Sequence, residues 1–489
     1  MSGFEASRYG EMLSGLGLLL MIGAAIMLTP LAALAFWPGE ADVAPAFIVP
    51  ALVMAALGAA SWRLLRTGRR VVLARHEGGV VVLLSWTLFV LFSAWPLMEA
   101  SGLGFTQAVF ESVSGWTTTG LSVMDVTSET HVVLLWRSIM QLAGGAGLAI
   151  IMISAIATPG GLAVSAAEGR DQLVPHVRRS AKLVLTIYAG YAGIGIVALR
   201  IAGMGWFDAV NHAFTAISTG GFSTRFESIA FWDSTYVESV TMSLMILGNI
   251  NFVTMWSLLQ GKVRAFLRNG EIRIQIFLLP FASALLLLLT TAGLYPTLGR
   301  SIRIAVFQAV SALTTTGFST VTYDAWNGAG ILVLIVLMLI GGGSCSTAGG
   351  IKQYRVYLLW RSLFWELRRS LLPRTAVMEN AVWVGDRRTF IQDAHLRQIG
   401  AFLFLYLCTM TAGTLVIAGH GYGLAESGFE FASSLGTVGL SVGITSASAP
   451  GAVLWIETLG MFLGRLEFFV VFLGAAKLLL DGAGILGRD

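Results

Sequence analysis

Ten stretches of the chain are apolar for long enough to cross a bilayer, and polar residues gather between them instead of alternating within them. A helix needs about 20 predominantly apolar residues to traverse roughly 30 Å of hydrocarbon. Runs of that kind fall at 12–36, 45–65, 79–98, 131–157, 181–203, 235–260, 273–294, 328–360, 397–419 and 451–480. The pattern predicts an all-α integral membrane protein. The first run ends in Ala-Leu-Ala, as a secretory leader does, but its apolar core is too long and the segment before it (Glu5, Arg8, Glu11) is not positively charged. It is read as a retained span.

Polar positions between the runs predict the orientation, because cytoplasmic loops are enriched in Lys and Arg. There are 5 basic residues in 63–75, 4 in 170–182, 4 in 262–273 and 9 in 352–397, whereas the opposite loops hold only Arg225, Arg300 and Arg303. Both termini are therefore expected on the cytoplasmic side. Composition agrees: 56% of the 489 residues are hydrophobic, 12% are charged, and mean hydropathy is +0.77. That excludes a soluble enzyme of ordinary surface and a disordered chain. Cys345 and Cys408 form no disulfide or zinc pattern, and the six histidines show no metal spacing.

Four outward-facing stretches are too apolar for ordinary loops, and each contains a copy of one 13-residue segment. The copies are FESVSGWTTTGLS at 110–122, NHAFTAISTGGFS at 211–223, FQAVSALTTTGFS at 307–319 and FEFASSLGTVGLS at 429–441. Position nine is always Thr (Thr118, Thr219, Thr315, Thr437), and position eleven is always Gly (Gly120, Gly221, Gly317, Gly439). Position five is a small hydroxyl residue (Ser114, Thr215, Ser311, Ser433), and position thirteen is Ser. Position ten varies: Thr119, Gly220, Thr316, Val438.

Non-helical backbone at membrane depth is tolerated only where protein buries it or where it lines a water-filled cavity. Each copy therefore reads as a short helix that stops partway, with the chain turning back at T-x-G, where Gly permits unusual backbone angles. Carbonyl oxygens there can replace a cation's hydration shell, and four helix C-termini aimed at one centre add negative partial charge. A carbonyl ring without carboxylates suits a large monovalent cation better than Ca²⁺ or Mg²⁺. The plainer reading is Gly-mediated helix packing, which leaves the Thr and Ser columns unexplained.

These four segments and their placement resemble the superfamily of K⁺ transporters that includes TrkH, TrkG and KtrB. The match covers the chain from about residue 79, and the two extra N-terminal spans favour the TrkH/TrkG branch. The resemblance implies four pseudo-symmetric span–pore helix–span repeats around one pore, behind a two-span addition. The expected divisions are 1–66 for the addition, then 67–160, 161–261, 262–370 and 371–489 for the repeats. It implies K⁺ as the transported ion, bound at positions nine to eleven of each copy, with no cofactor. Gly in all four filter positions is similar to K⁺-selective members, whereas Ser in the first repeat is linked to Na⁺ transport in related plant proteins. Gly220 and Val438 depart from a symmetric filter.

The eighth run is interrupted by Gly341, Gly342, Gly343, Ser344, Cys345, Ser346, Thr347, Ala348, Gly349 and Gly350, which a straight helix disfavours by about 1 kcal/mol per Gly. A phosphate-binding loop is excluded, because Lys352 does not follow the last Gly directly and no strand precedes the run. The resemblance implies an intramembrane gate below the filter; the alternative is a passive helix break. Arg465 lies within the tenth run, and the resemblance places such a residue beside the gate. Its other reading is a structural ion pair with Glu467, Glu457 or Asp481. Arg137 could brace a pore helix, and His212 is read as packed or hydrogen-bonded. Asp125, Glu227, Asp233 and Asp324 would either concentrate cations outside or be solvated loop charges.

The resemblance further implies a homodimer in a bacterial inner membrane and a cytosolic nucleotide-binding regulatory subunit, for which the basic stretch 352–397 is the candidate contact. Basic loops would also fit anionic lipid, and no nucleic-acid partner is expected. A coupled K⁺/H⁺ or Na⁺ symporter working by alternating access is the rival reading, opposed by the scarcity of Asp and Glu in the spans. An intramembrane enzyme lacks every expected motif.

Overall fold

The computed structural model describes residues 3–66, 75–147, 177–373, 379–384 and 387–482. Most of the basic stretch 170–182, part of 63–75 and the end of the fourth run (148–157) lie outside the described residues.

The architecture is a multi-span helical bundle. Six described helices are long and apolar enough to cross a membrane, and two further pairs qualify as bent spans. The first two long helices, α1 (Gly3–Leu28) and α2 (Ala44–Leu65), pack on each other and on α3 (Arg75–Ser101). Then one unit recurs. A long helix leads into a 12- to 16-residue helix, an extended segment, and a second helix that stops early. In the first unit these are α3, α4 (Phe105–Trp116) and α5 (His131–Ala146). In the second they are α6 (Val177–Ala202), α7 (Trp206–Ile217) and α8 (Thr235–Asn249), followed by α9 (Phe252–Leu259) and α10 (Val263–Arg268). The third comprises α11 (Gly270–Leu286, prolonged by a π turn), α12 (Leu298–Leu313) and α13 (Gly328–Ile340), then α14 (Gln353–Leu371). The fourth comprises α15 (Asp393–Ala418), α16 (Leu424–Leu435), α17 (Gly451–Leu466) and α18 (Phe468–Gly482).

Local chemistry starts these helices where the sequence changes from polar to apolar. Thr130, Ser234 and Asn327 cap α5, α8 and α13 by accepting from the N–H of Val133, Val237 and Gly330. Phe277 and Phe404 are 69% and 72% exposed, as suits side chains that face lipid.

The structure departs from the sequence reading in three places. The run 235–260 bends by 108° between α8 and α9, and 451–480 by 102° between α17 and α18, so only one of three described breaks was anticipated. In the first, Ile250 is extended and Asn251 caps α9; in the second, Glu467 adopts a positive φ of 60°. Neither break contains the Gly-rich signature that marks the eighth run. A two-stranded antiparallel hairpin, Ala381–Val384 with Arg387–Phe390, interrupts the basic stretch, so the fold is not strictly all-α.

Candidate functional site

The short helices α4, α7, α12 and α16 all end in the same way, and their endings build the site. At the C-terminus of each, the N–H of position ten bonds the carbonyl of position five at 2.8–3.0 Å, and the N–H of position nine bonds that of position six at 3.1–3.2 Å. This double bond pattern is the Schellman cap, whose turning residue has left-handed backbone angles and is normally Gly. Here it is Thr, with φ of 58° at Thr118, 51° at Thr219, 53° at Thr315 and 50° at Thr437. A β-branched residue in that region is strained. The sequence reading gave the turn to the Gly two positions later. That Gly is also left-handed, with φ between 76° and 97° in the four copies.

The four segments meet in a closed ring. A Cβ on Gly120 would overlap the carbonyl oxygen of Gly220; on Gly221, that of Thr316; on Gly317, that of Val438; and on Gly439, that of Thr119. Each copy thus abuts the next, and the fourth returns to the first. All four Thr at position nine are fully buried, and the hydroxyls of Thr118 and Thr437 have no hydrogen-bond partner among the described residues.

Side chains behind the ring hold it. Ser114 accepts from Gly120 N–H at 3.0 Å and donates to Leu121 O at 2.6 Å. Ser311 donates to Phe318 O at 2.7 Å, and Ser433 accepts from Gly439 N–H at 3.0 Å. Position two makes a second tie that the sequence reading missed. Glu111, His212, Gln308 and Glu430 each bond the Ser at position thirteen of their own copy, at 2.9, 2.9, 3.2 and 2.6 Å. Register would have revealed it: the two positions face each other in every copy although the residue at position two changes. His212 is indeed hydrogen-bonded, to Asp208 O and Ser223. Arg137 braces two copies at once. It bonds Glu111 at 2.7 Å and Ser122 at 2.8 Å, donates to Ser223 O, and lies 3.9 Å from the centre of the Phe222 ring.

The Gly-rich segment 341–350 is seated against this ring. Gly341 ends α13 with φ of 68°, and Gly349 N–H donates to Thr315 Oγ1 at 2.7 Å. Thr347 meets Thr219 Oγ1 at 3.1 Å and donates to Gly248 O at 2.9 Å. A Cβ on Gly349 would overlap Thr437 Oγ1 and Gly436 O. Gly342 and Gly343 are pinned through their N–H groups to Gly349 O and to Asn249, and Ser344 N–H reaches Glu271 at 2.6 Å. Ser346 closes on Gly343 O at 2.6 Å, and Cys345, Ala348 and Gly350 complete the segment, Cys345 and Gly350 with positive φ.

Arg465, at the end of α17, donates to Thr347 O and to Gly144 O, each at 2.6 Å. It thereby links the Gly-rich segment to α5. The three carboxylates suggested as its ion-pair partners bond elsewhere: Glu467 with Arg355 at 2.7 Å, Asp481 with Lys477 at 2.7 Å, and Glu457 with the Thr445 hydroxyl at 3.2 Å. Of the outer acids, Asp233 pairs with Arg303, which also holds Glu238. Asp125 accepts from the hydroxyl and N–H of Thr127, which hold its carboxyl below the usual range, so it stays ionised.

Comparison with known proteins follows the same outline. Residues 44–483 match the model of the TrkH family, described as cation transport proteins. The chain is 31% identical over 478 residues to the Trk system potassium uptake protein TrkH of Halomonas elongata, covering 93% of this chain and 96% of that protein. It is 30% identical to the Trk system potassium uptake protein TrkG of Escherichia coli K12, covering 87% and 90%. The fold is similar to the crystal structure of the potassium transporter TrkH from Vibrio parahaemolyticus, with a TM-score of 0.83 and 26% identity over 95% of this chain and 98% of that one.

Proposed function

The chain belongs to the TrkH family of cation transport proteins, and from that premise we propose that it takes up K⁺ through a gated, channel-like pathway. The observation that carries the reading is the closed ring of four T-x-G segments. Dehydrated K⁺ would be coordinated there by carbonyls, with the unpartnered hydroxyls of Thr118 and Thr437 as further oxygen ligands. Residues 341–350 would be the gate and Arg465 its latch. Because the segment bonds Thr219 and Thr315 directly, this arrangement is read as closed.

In this reading the chain has ten spans, the repeats keep the divisions given above, and both termini face the cytoplasm. Release of the gate would come from a cytosolic nucleotide-binding subunit acting on the basic stretch 352–397 of a homodimer in a bacterial inner membrane. One feature favours proton-coupled uptake as a second reading. Glu430 and Glu457 are both buried and approach one hydroxyl, that of Thr445, at 2.5 and 3.2 Å. The deciding experiment is Rb⁺ or K⁺ flux into liposomes holding the purified chain, with and without a pH gradient, alongside Gly120→Ser. Absence of K⁺-selective flux in every state, with or without a regulatory partner, would sink the proposal. Flux driven by the pH gradient would favour the symporter.

A further inference from the structure

The second copy breaks the side-chain pattern that holds the other three. Its residue at position five, Thr215, turns its hydroxyl onto its own helix, donating to Asn211 O at 3.0 Å. The tie to the extended segment that Ser114, Ser311 and Ser433 provide is missing. A residue of the preceding unit supplies it instead. Gln141 of α5 is fully buried, donates from Nε2 to Gly220 O at 2.6 Å, and accepts at Oε1 from Phe222 N–H at 3.1 Å. The second bond fixes which end of the carboxamide is oxygen, because an N–H requires an acceptor.

The same contact accounts for Gly220. A Cβ there would overlap the Gln141 carboxamide, so the Thr or Val found in the other copies has no room. Conversely, the position ten residues into the corresponding helices is Met245 in α8, Met338 in α13 and Met461 in α17. Glutamine and glycine thus go together in one copy, while methionine and a larger residue occupy the others. Among the described residues, no side chain donates to the equivalent carbonyls of Thr119, Thr316 or Val438.

We propose that Gln141 is a specificity-determining positioning residue, matched to Gly220, which holds one carbonyl of the ring and so raises the preference for K⁺ over Na⁺. This rests on the filter reading above. The positive N–H end behind the carbonyl opposes its field at the ion, and a tethered oxygen cannot move in around a smaller ion. Both effects penalise Na⁺ more than K⁺. Releasing Gly220 O therefore lowers the K⁺/Na⁺ preference, with the worth of one neutral hydrogen bond, about tenfold, as the ceiling.

The test uses the purified full-length chain in detergent, with thermal midpoints titrated against K⁺ and against Na⁺ at constant ionic strength, so that each ion's apparent affinity follows from linkage. Gln141→Met should lose more than twofold and up to about tenfold in the K⁺/Na⁺ affinity ratio, the ceiling set by one neutral hydrogen bond. Gly220→Thr should lose as much or more, and the double variant, which reproduces the Met and Thr pairing, should lose less than the product of the two. A Gln141→Met ratio within twofold of the parent, or losses that simply multiply, overturns the proposal. Gly220→Ala, which keeps Gln141 but displaces its carboxamide, reads the same contact if Gln141→Met does not fold, and an unchanged ratio there overturns it equally. A parent chain with no K⁺ preference would instead overturn the filter reading itself.

Discussion

Replacing Arg465 by Ala removes its bond to Thr347 O of the Gly-rich segment and the bond to Gly144 O that ties the same guanidinium to α5, at 2.6 Å each. A hydrogen bond from a charged donor contributes about 1.5–3 kcal/mol, and Arg465 is half-buried, so water takes back part of that when the gate opens. For the one bond to the Gly-rich segment a net of about 1–2 kcal/mol remains, which shifts the balance between closed and open by about 5- to 30-fold. In the proposed pathway a fixed positive charge beside the cation would also disappear, which acts in the same direction. Other ties remain, among them Gly349 to Thr315, Thr347 to Gly248 and Ser344 N–H to Glu271. Rb⁺ uptake into liposomes containing the chain alone should rise about 5- to 30-fold in initial rate over the parent, the size of that shift. Arg465→Lys should fall between the two, because one ammonium lacks the fork that reaches two carbonyls. Equal uptake by the parent and Arg465→Ala, with both proteins folded and inserted, would refute the latch.

Gly349→Ala places a methyl against Thr437 Oγ1 and Gly436 O; it should raise basal Rb⁺ uptake as Arg465→Ala does, and an unchanged rate would mean that the segment is not the barrier. Gly120→Ser combines a φ of 92° with a collision at Gly220 O, a strain of about 1–2 kcal/mol before the carbonyl moves. Its K⁺/Na⁺ flux ratio should drop, and an unaltered ratio would remove Gly120 from the filter. Arg137→Leu leaves Glu111 buried without its partner and should cost about 3–5 kcal/mol, seen as a lower thermal midpoint in detergent. Adding Glu111→Gln should recover most of the loss; no recovery would show that Arg137 acts through Ser122, Ser223 O and Phe222 and not through Glu111.

The long spans were legible because lipid imposes one rule, continuous apolarity, along 20 or so residues. The four T-x-G copies were legible because they repeat in register. What escaped was set by tertiary contact. Asn249 and Asn251 look like tolerable polar residues within an apolar run, and only the Gly343 and Phe252 backbone next to them makes a break there favourable. Glu467 breaks the last span at positive φ without being Gly, while its carboxylate is held by Arg355 from α14. Arg465 was singled out for its charge in an apolar setting, but its carbonyl partners belong to segments more than 100 residues away in sequence. Gln141 carried no signal until the four helices after the T-x-G segments were compared position by position.

Threonine at position nine deserves its own test, because a purely structural cap would use glycine. Left-handed angles cost a residue with a Cβ about 1–2 kcal/mol, and all four copies bear that strain. The hydroxyl of Thr118 has no partner among the described residues to offset it; in the filter reading the transported ion is that partner. Thr118→Gly removes strain and breaks no bond, while glycine's extra freedom in the unfolded chain takes back about 0.5–1 kcal/mol. The variant should therefore be as stable as the parent in the absence of K⁺, or slightly more so. It should nevertheless lose most of the stabilisation that K⁺ confers, read as the K⁺-dependent rise in thermal midpoint. The opposite result, a less stable protein that responds to K⁺ as the parent does, would assign Thr118 to the cap and take its hydroxyl out of the ion path.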